Sequence, residues 1–197
     1  MANVTLPNYS FTNVTVISFD GVPDGTDISR HYAHLGVTLA SITTAPPKTW
    51  DAYARQFVIV ETPQYLVSIH KSGDVGFDAL MGGIEVRFAH PQRYVSIDVF
   101  PFVITEMPVP PANRPFLQAF RLKDGKVVDT KFLPVAFGDA NYFDWHTLAI
   151  EAPTAEIERV VFSSVYVGTP HVFGLFDQLA FSEEHPSFPP IQLGPAR

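Results

Sequence analysis

Short runs in which apolar and polar residues alternate recur along the chain. Ile84 to Ala89 sets Ile, Val and Phe against Glu and Arg, the period of two that marks a half-buried strand. Tyr94 to Phe102 is more continuously apolar, as a central strand would be. Phe116 to Leu122 and Val127 to Phe132 flank Lys123-Asp124-Gly125-Lys126, and Asp-Gly between alternating segments predicts a hairpin. Further strand-like segments run over 13–20, 36–41, 57–61, 65–70, 145–151, 157–166 and 171–182. About ten short strands at this spacing point to an all-β sandwich or barrel. Helical periodicity is confined to Ile28–Leu35, stopped by Gly36, which predicts one short helix of about two turns. A doubly wound α/β fold would need several longer helices and is excluded.

Composition agrees. Seventeen phenylalanines against three methionines suit pleated surfaces, and charged residues at 17% are too few for a coiled coil. At 46% hydrophobic, 197 residues can build a core without staples. The tail 184–197 carries four prolines, and residues 1–10 are irregular. One domain over 11–183, with an N-terminal arm (1–10) and a Pro-rich tail (184–197), is the expected organisation.

Charge and motifs then remove whole classes of function. A net charge of −7 with scattered basic residues leaves no face for nucleic-acid phosphates and no polybasic membrane patch. No apolar run reaches the ~18–20 residues of a membrane span, and the opening residues lack the basic and apolar regions of a signal peptide. The absence of cysteine excludes disulfides and thiolate chemistry. Nucleophile-elbow, phosphate-loop, dinucleotide and His-Glu-x-x-His motifs are all missing. His31 and His34, three apart, are too few for a metal site. Among strand carboxylates, Glu85, Asp98 and Glu106 show no spacing that singles out a catalytic pair.

The first loop is acid-rich. Asp20, Asp24 and Asp27 fall within eight residues that also hold Gly21 and Gly25. Hard cations such as calcium take oxygen donors of this kind, although Asp-Gly turns are common for their dihedral preferences alone. Asp177 lies within Phe173-Gly-Leu-Phe-Asp-Gln-Leu-Ala-Phe, where a carboxylate is costly unless paired or coordinated. If the first and last strands are neighbours, Asp177 meets this loop. Two segments mix aromatics with planar polar side chains, as small-molecule and sugar sites do: Lys48–Arg55, with Trp50, Tyr53 and Arg55, and Gly138–His146, with Asn141, Tyr142 and Trp145. Both are expected to be loops between strands. Trp145 also suits a core position at a strand start.

The order of these segments resembles a known pattern. Phe19-Asp20, Asp24-Gly25-Thr26, Tyr32 and Gly36-Val37-Thr38-Leu39 come first. Ala119-Phe120 with Asp124-Gly125, Trp145 to Ile150, and the closing Gly174-Leu-Phe-Asp177-Gln-Leu-Ala-Phe follow. Over residues 13–182 this resembles the galactose-binding-like β-jelly-rolls of bacteria, which include many carbohydrate-binding modules. The resemblance implies a jelly-roll sandwich of two antiparallel sheets, a lectin-like and non-catalytic role, and an extracellular or cell-surface location. It further implies a structural calcium joining first loop to last strand, with Asp20 and Asp177 as its ligands and Asp24, Thr26 and Asp27 nearby. Gln178 stands where the pattern has a second acid. A structural or protein-interaction component, or a polysaccharide-active enzyme, are the competing roles on such a scaffold.

Overall fold

A computed structural model describes residues 13–19, 22–23, 26–42, 50–55, 65–70, 83–103, 114–135, 139, 144–163 and 172–186. The chain forms β1 (Thr15–Ile17), β2 (Val37–Ile42), β3 (Trp50–Arg55), β4 (Tyr65–His70), β5 (Gly83–Gln92), β6 (Tyr94–Val103), β7 (Phe116–Arg121), β8 (Val127–Phe132), β9 (His146–Glu151), β10 (Ile157–Ser163) and β11 (Val172–Ser182). Every pairing is antiparallel. One sheet runs β3-β4-β11-β6-β9, with β1 also paired to β11; the other runs β2-β5-β10-β7-β8. The sandwich of two antiparallel sheets is therefore as expected.

Interior strands of both sheets send apolar residues into one core. Val95, Ile97 and Val99 of β6 face Ile84, Val86 and Phe88 of β5 through a single core. Phenylalanines bridge the two layers. Phe162 of β10 meets Phe176 of β11 with ring centroids 4.9 Å apart, and Phe88 meets Phe181 at 5.3 Å. The chain passes from one sheet to the other at Arg93, the single residue between β5 and β6. Arg93 N–H donates to the Ser182 carbonyl, and its own carbonyl accepts from Ala152 N–H, both at 2.8 Å. Its buried Nε lies 3.4 Å from a Glu151 carboxylate oxygen that also pairs with His185.

The Asp-Gly hairpin forms as predicted. Gly125 takes φ 64° in the turn between β7 and β8, a left-handed conformation that glycine adopts without penalty. Two hydrogen bonds from the Arg121 guanidinium, at 3.0 and 2.9 Å, hold the Asp124 carboxyl down at about 2.

Two expectations are corrected. The helix over 28–35 is a series of turns ending in one 3-10 turn, Ala33–Leu35. Its backbone bonds reach back three residues: His31 to Ile28, Ala33 to Arg30, Leu35 to Tyr32. Burying Ile28 and Tyr32 satisfies the apolar spacing, but two turns are too few to repay helix nucleation. The segment Lys48–Arg55 is not a loop throughout, since Trp50–Arg55 is edge strand β3. The expected strand 57–61, the arm 1–10 and most of the tail lie outside the described residues.

Gly174 in β11 has a specific reason to be glycine. A Cβ there would stand 2.7 Å from a Phe176 ring carbon and 2.8 Å from a Val99 methyl. Gly174→Ala is expected to overpack the core and cost about 1–3 kcal/mol in urea denaturation. Unchanged stability would show that these two side chains can move aside.

Candidate functional site

The last strand positions the candidate site. One edge of β11 pairs with β6 over its length, from Val172 opposite Val103 to Ser182 opposite Tyr94. Its other edge is shared. Phe176 stands opposite Leu66 of β4, and Leu179, Ala180 and Phe181 stand opposite Ile17, Val16 and Thr15 of β1. Between these two partners the register of β11 breaks, and Gln178 takes φ 53°. A left-handed residue that is not glycine is uncommon and marks a bulge held by its surroundings.

Asp177 is the residue before that bulge, and only 6% of it is exposed. Its Oδ1 accepts the N–H of Gln178 at 2.7 Å and the N–H of Phe19 at 3.3 Å. The first and last strands are neighbours. The Asp177 carboxylate thus satisfies the backbone where β1 leaves the sheet, which explains how an acid is tolerated in this apolar run.

The other expected metal ligands are less gathered. Asp20 and Asp24 lie outside the described residues. Asp27 is exposed, and its Oδ1 accepts the Ser29 N–H at 2.8 Å, a short-range turn bond. Among the described residues no three His, Asp or Glu side chains converge to hold a metal ion. The donor chemistry of Asp177, a buried oxygen donor beside the first loop, suits a hard cation; calcium stands as a proposal on that basis.

The face of this sheet turned away from the core carries further chemistry. Val99 is fully buried in the core, so Asp98 and Phe100 on either side of it belong to the outer face. Asp98 stands opposite Asp177 on one side and Thr147 on the other. Burial pushes the Asp98 carboxyl above its ordinary range, opposed by the hydrogen bond that Thr147 Oγ1 donates to Oδ1 at 2.6 Å. Phe100 and Trp145 are both half-buried, with ring centroids 5.7 Å apart and planes inclined at 57°. Trp145 therefore contacts an outer-face ring.

The topology relates the two aromatic segments that the sequence singles out. Trp50, Tyr53 and Arg55 lie on β3, one edge of this sheet, opposite His70, Val67 and Tyr65. Trp145 immediately precedes β9 at the other edge. By alternation, positions 53 and 55 fall on the face of Asp98 and Phe100, and position 50 falls on the opposite face. Asn141 and Tyr142 lie outside the described residues. Five strands at about 4.8 Å spacing put the two edges roughly 19 Å apart.

Residue choice alone did not reveal how Asp98 and Phe100 combine with Thr147 and Trp145. An acid inside the apolar run 94–102 carries the same signal as Asp177 in its run. Glu85, the other strand carboxylate considered for catalysis, belongs to the other sheet. There it pairs with Arg87 at 2.5 Å and Arg159 at 3.1 Å, while the Arg159 guanidinium lies 3.8 Å over the Phe120 ring. Glu85 and Asp98 thus do not form a pair, and Glu106 lies outside the described residues.

Replacing Asp177 by Ala would leave the Phe19 N–H buried without this acceptor. A loss of about 1–3 kcal/mol is expected in denaturant unfolding, with a smaller loss for Asp177→Asn, which keeps an acceptor. Equal stability of Asp177→Ala and wild type would show that the carboxylate does not pin the first strand.

No family model matches the chain, and no curated protein matches it. Solved structures do. The K2 cleaved adhesin domain of Lys-gingipain is 13% identical, with a TM-score of 0.50 over 86% of this chain and 99% of that one. The K1 cleaved adhesin domain of Lys-gingipain from Porphyromonas gingivalis W83 is 11% identical, with a TM-score of 0.47 over 88% and 100% of the two chains. The CBM22-1 xylan-binding domain from Paenibacillus barcinonensis is 13% identical, with a TM-score of 0.40 over 87% and 94%. No helix among the described residues is long and apolar enough to cross a membrane. By fold, the chain is a jelly-roll β-sandwich similar to the K2 cleaved adhesin domain of Lys-gingipain.

Proposed function

We propose that this protein is a non-catalytic, lectin-like carbohydrate-binding jelly-roll that acts outside the cell or at its surface. The observation that carries the reading is the outer face of the β3-β4-β11-β6-β9 sheet. It joins a half-buried aromatic pair, Phe100 and Trp145, to the Asp98–Thr147 hydrogen bond. Sugar rings present an apolar face that stacks on aromatics and a hydroxyl rim that needs acceptors and donors, and these groups supply both. Positions 53 and 55 of β3 extend the surface toward its far edge, while Trp50 falls on the other face of that strand, and Asn141 and Tyr142 precede Trp145 in sequence. A face about 19 Å across spans several sugar units, so an oligosaccharide is the expected ligand rather than a single ring.

In this reading calcium is structural. Asp177 and Asp20 would hold it, with Asp24 and Asp27 as further acidic donors. It would fix the first loop against the last strand without touching the sugar.

A broad glycan array in calcium-containing buffer is the experiment. Selective binding is expected. Trp145→Ala and Phe100→Ala should each weaken it about tenfold, near 1.4 kcal/mol. Chelator should lower the melting temperature, because an ion that binds only the folded state stabilises it. A blank array on folded protein would overturn the carbohydrate reading in favour of a protein-interaction role. A melting temperature indifferent to chelator would overturn the calcium alone.

A further inference from the structure

The outer face of the second sheet carries a row of side chains that the fold itself does not call for. Val86 and Val160 are fully buried in the core, so Glu85, Arg87, Arg159 and Val161 on either side of them turn outward. Register sets Arg87 of β5 directly opposite Arg159 of β10, the middle strand of this sheet. Phe120 of β7 stands opposite Arg159 on its other side, and Thr38 of β2 stands opposite Arg87. The row thus runs Thr38, Arg87, Arg159, Phe120 from strand to strand. Like charges placed directly opposite each other destabilise a sheet, so the arginine pair needs another reason.

A single carboxylate serves both cations. Glu85, in the neighbouring row, accepts from Arg87 Nε on one oxygen at 2.5 Å and from Arg159 Nη1 on the other at 3.1 Å. Among the described residues no second acid comes within ion-pair reach of either arginine, so one positive charge is left over. The Glu85 side chain is only 17% exposed and that of Arg87 is 55% exposed. The carboxylate therefore sits close to the sheet, and the Arg87 head is offered to solvent. Glu85 engages the inner nitrogen of Arg87, and no group among the described residues takes its two terminal nitrogens. Arg159 is held in place as well, with its guanidinium 3.8 Å over the Phe120 ring.

A surplus positive charge with an unengaged guanidinium fork, oriented in advance by Glu85, is complementary to a carboxylate. The groups around it are neutral hydrogen-bonding ones. Thr38 is exposed, and in the row of Glu85 the Gln118 amide donates to Thr130 Oγ1 at 2.9 Å. Such groups suit the hydroxyls of a sugar. An acidic peptide binding by strand addition would need a sheet edge, whereas both arginines lie on interior strands. With a net charge of −7 the chain does not draw in polyanions from a distance, so recognition rests on these contacts. We infer that the outer face of the β2-β5-β10-β7-β8 sheet binds an acidic polysaccharide, with Arg87 and Arg159 taking the carboxylate of a uronate unit. The site lies on the other side of the sandwich from Asp98, Phe100 and Trp145, and it stands whether or not that face binds sugar.

Titration of the isotope-labelled full chain, followed by amide and arginine Nε chemical shifts, tests the inference. The probes are hexamers of galacturonate and of mannuronate, each beside its methyl ester, which keeps the rings and removes the charge. Shifts centred on Thr38, Arg87, Arg159 and Phe120 are expected with at least one uronate. The esters should bind about tenfold more weakly or worse. Arg87→Gln, a change at an exposed head, should lose about tenfold in affinity, with its unperturbed amide spectrum elsewhere showing that it folds. A hexaglutamate peptide should bind more weakly than the better uronate. Equal binding of that peptide would make an acidic protein the partner and overturn the polysaccharide. No shift at these residues with either uronate, shifts confined to the face of Asp98 and Trp145, equal response to the esters, or an indifferent Arg87→Gln would overturn the site itself.

Discussion

The Asp177 carboxylate is the point on which the first and last strands agree. Strand β11 serves three neighbours, with β6 along one edge and β4 and β1 in succession along the other. A strand cannot hand one edge from one partner to another without a break in register. That break falls at Asp177 and Gln178, where Gln178 turns left-handed and the Asp177 side chain accepts the backbone N–H groups of Gln178 and Phe19. An acid in this place does what no apolar residue can, because it satisfies amides that the ladder has released. Phe19 is then seated, fully buried, with its ring edge-on to Tyr32.

The functional face follows from the same strand. Because β11 lies at the centre of its sheet, β3 and β9 become the two edges, and segments about ninety residues apart in sequence share one surface. Phe100 and Asp98 occupy the middle of that surface because β6 alternates, sending Val95, Ile97 and Val99 inward. The core thus fixes which residues are offered outward. Asp98 pays for its partial burial with a raised proton affinity, moderated by Thr147.

Much of the architecture was legible because it rests on period two and on turn chemistry. The strands over 84–89 and 94–102 and the Asp124-Gly125 hairpin are local signals, and local signals survive folding. That Asp177 must be paired was legible from the cost of burying it, whereas the adjacency of first and last strands entered only as a condition. Strand β3 was missed because its aromatic and charged residues drew attention to binding. Yet Trp50, Ala52 and Ala54 alternate with Asp51, Tyr53 and Arg55, which is a strand pattern. The helix over 28–35 was a false signal, since Ile28 and Tyr32 meet the core equally well from a chain of turns.

Hydrogen exchange of the Phe19 amide, measured by NMR on the wild-type chain, tests the role of Asp177 most directly. Phe19 lies beyond β1 and outside the ladder, and its N–H donates to the Asp177 carboxylate, so replacing Asp177 by Ala should speed its exchange relative to wild type. Exchange in the wild type as slow as that of the β6 and β11 amides is the predicted result. Exchange at the rate of open backbone, with β11 still protected, would contradict the claim that this carboxylate locks the first strand to the last.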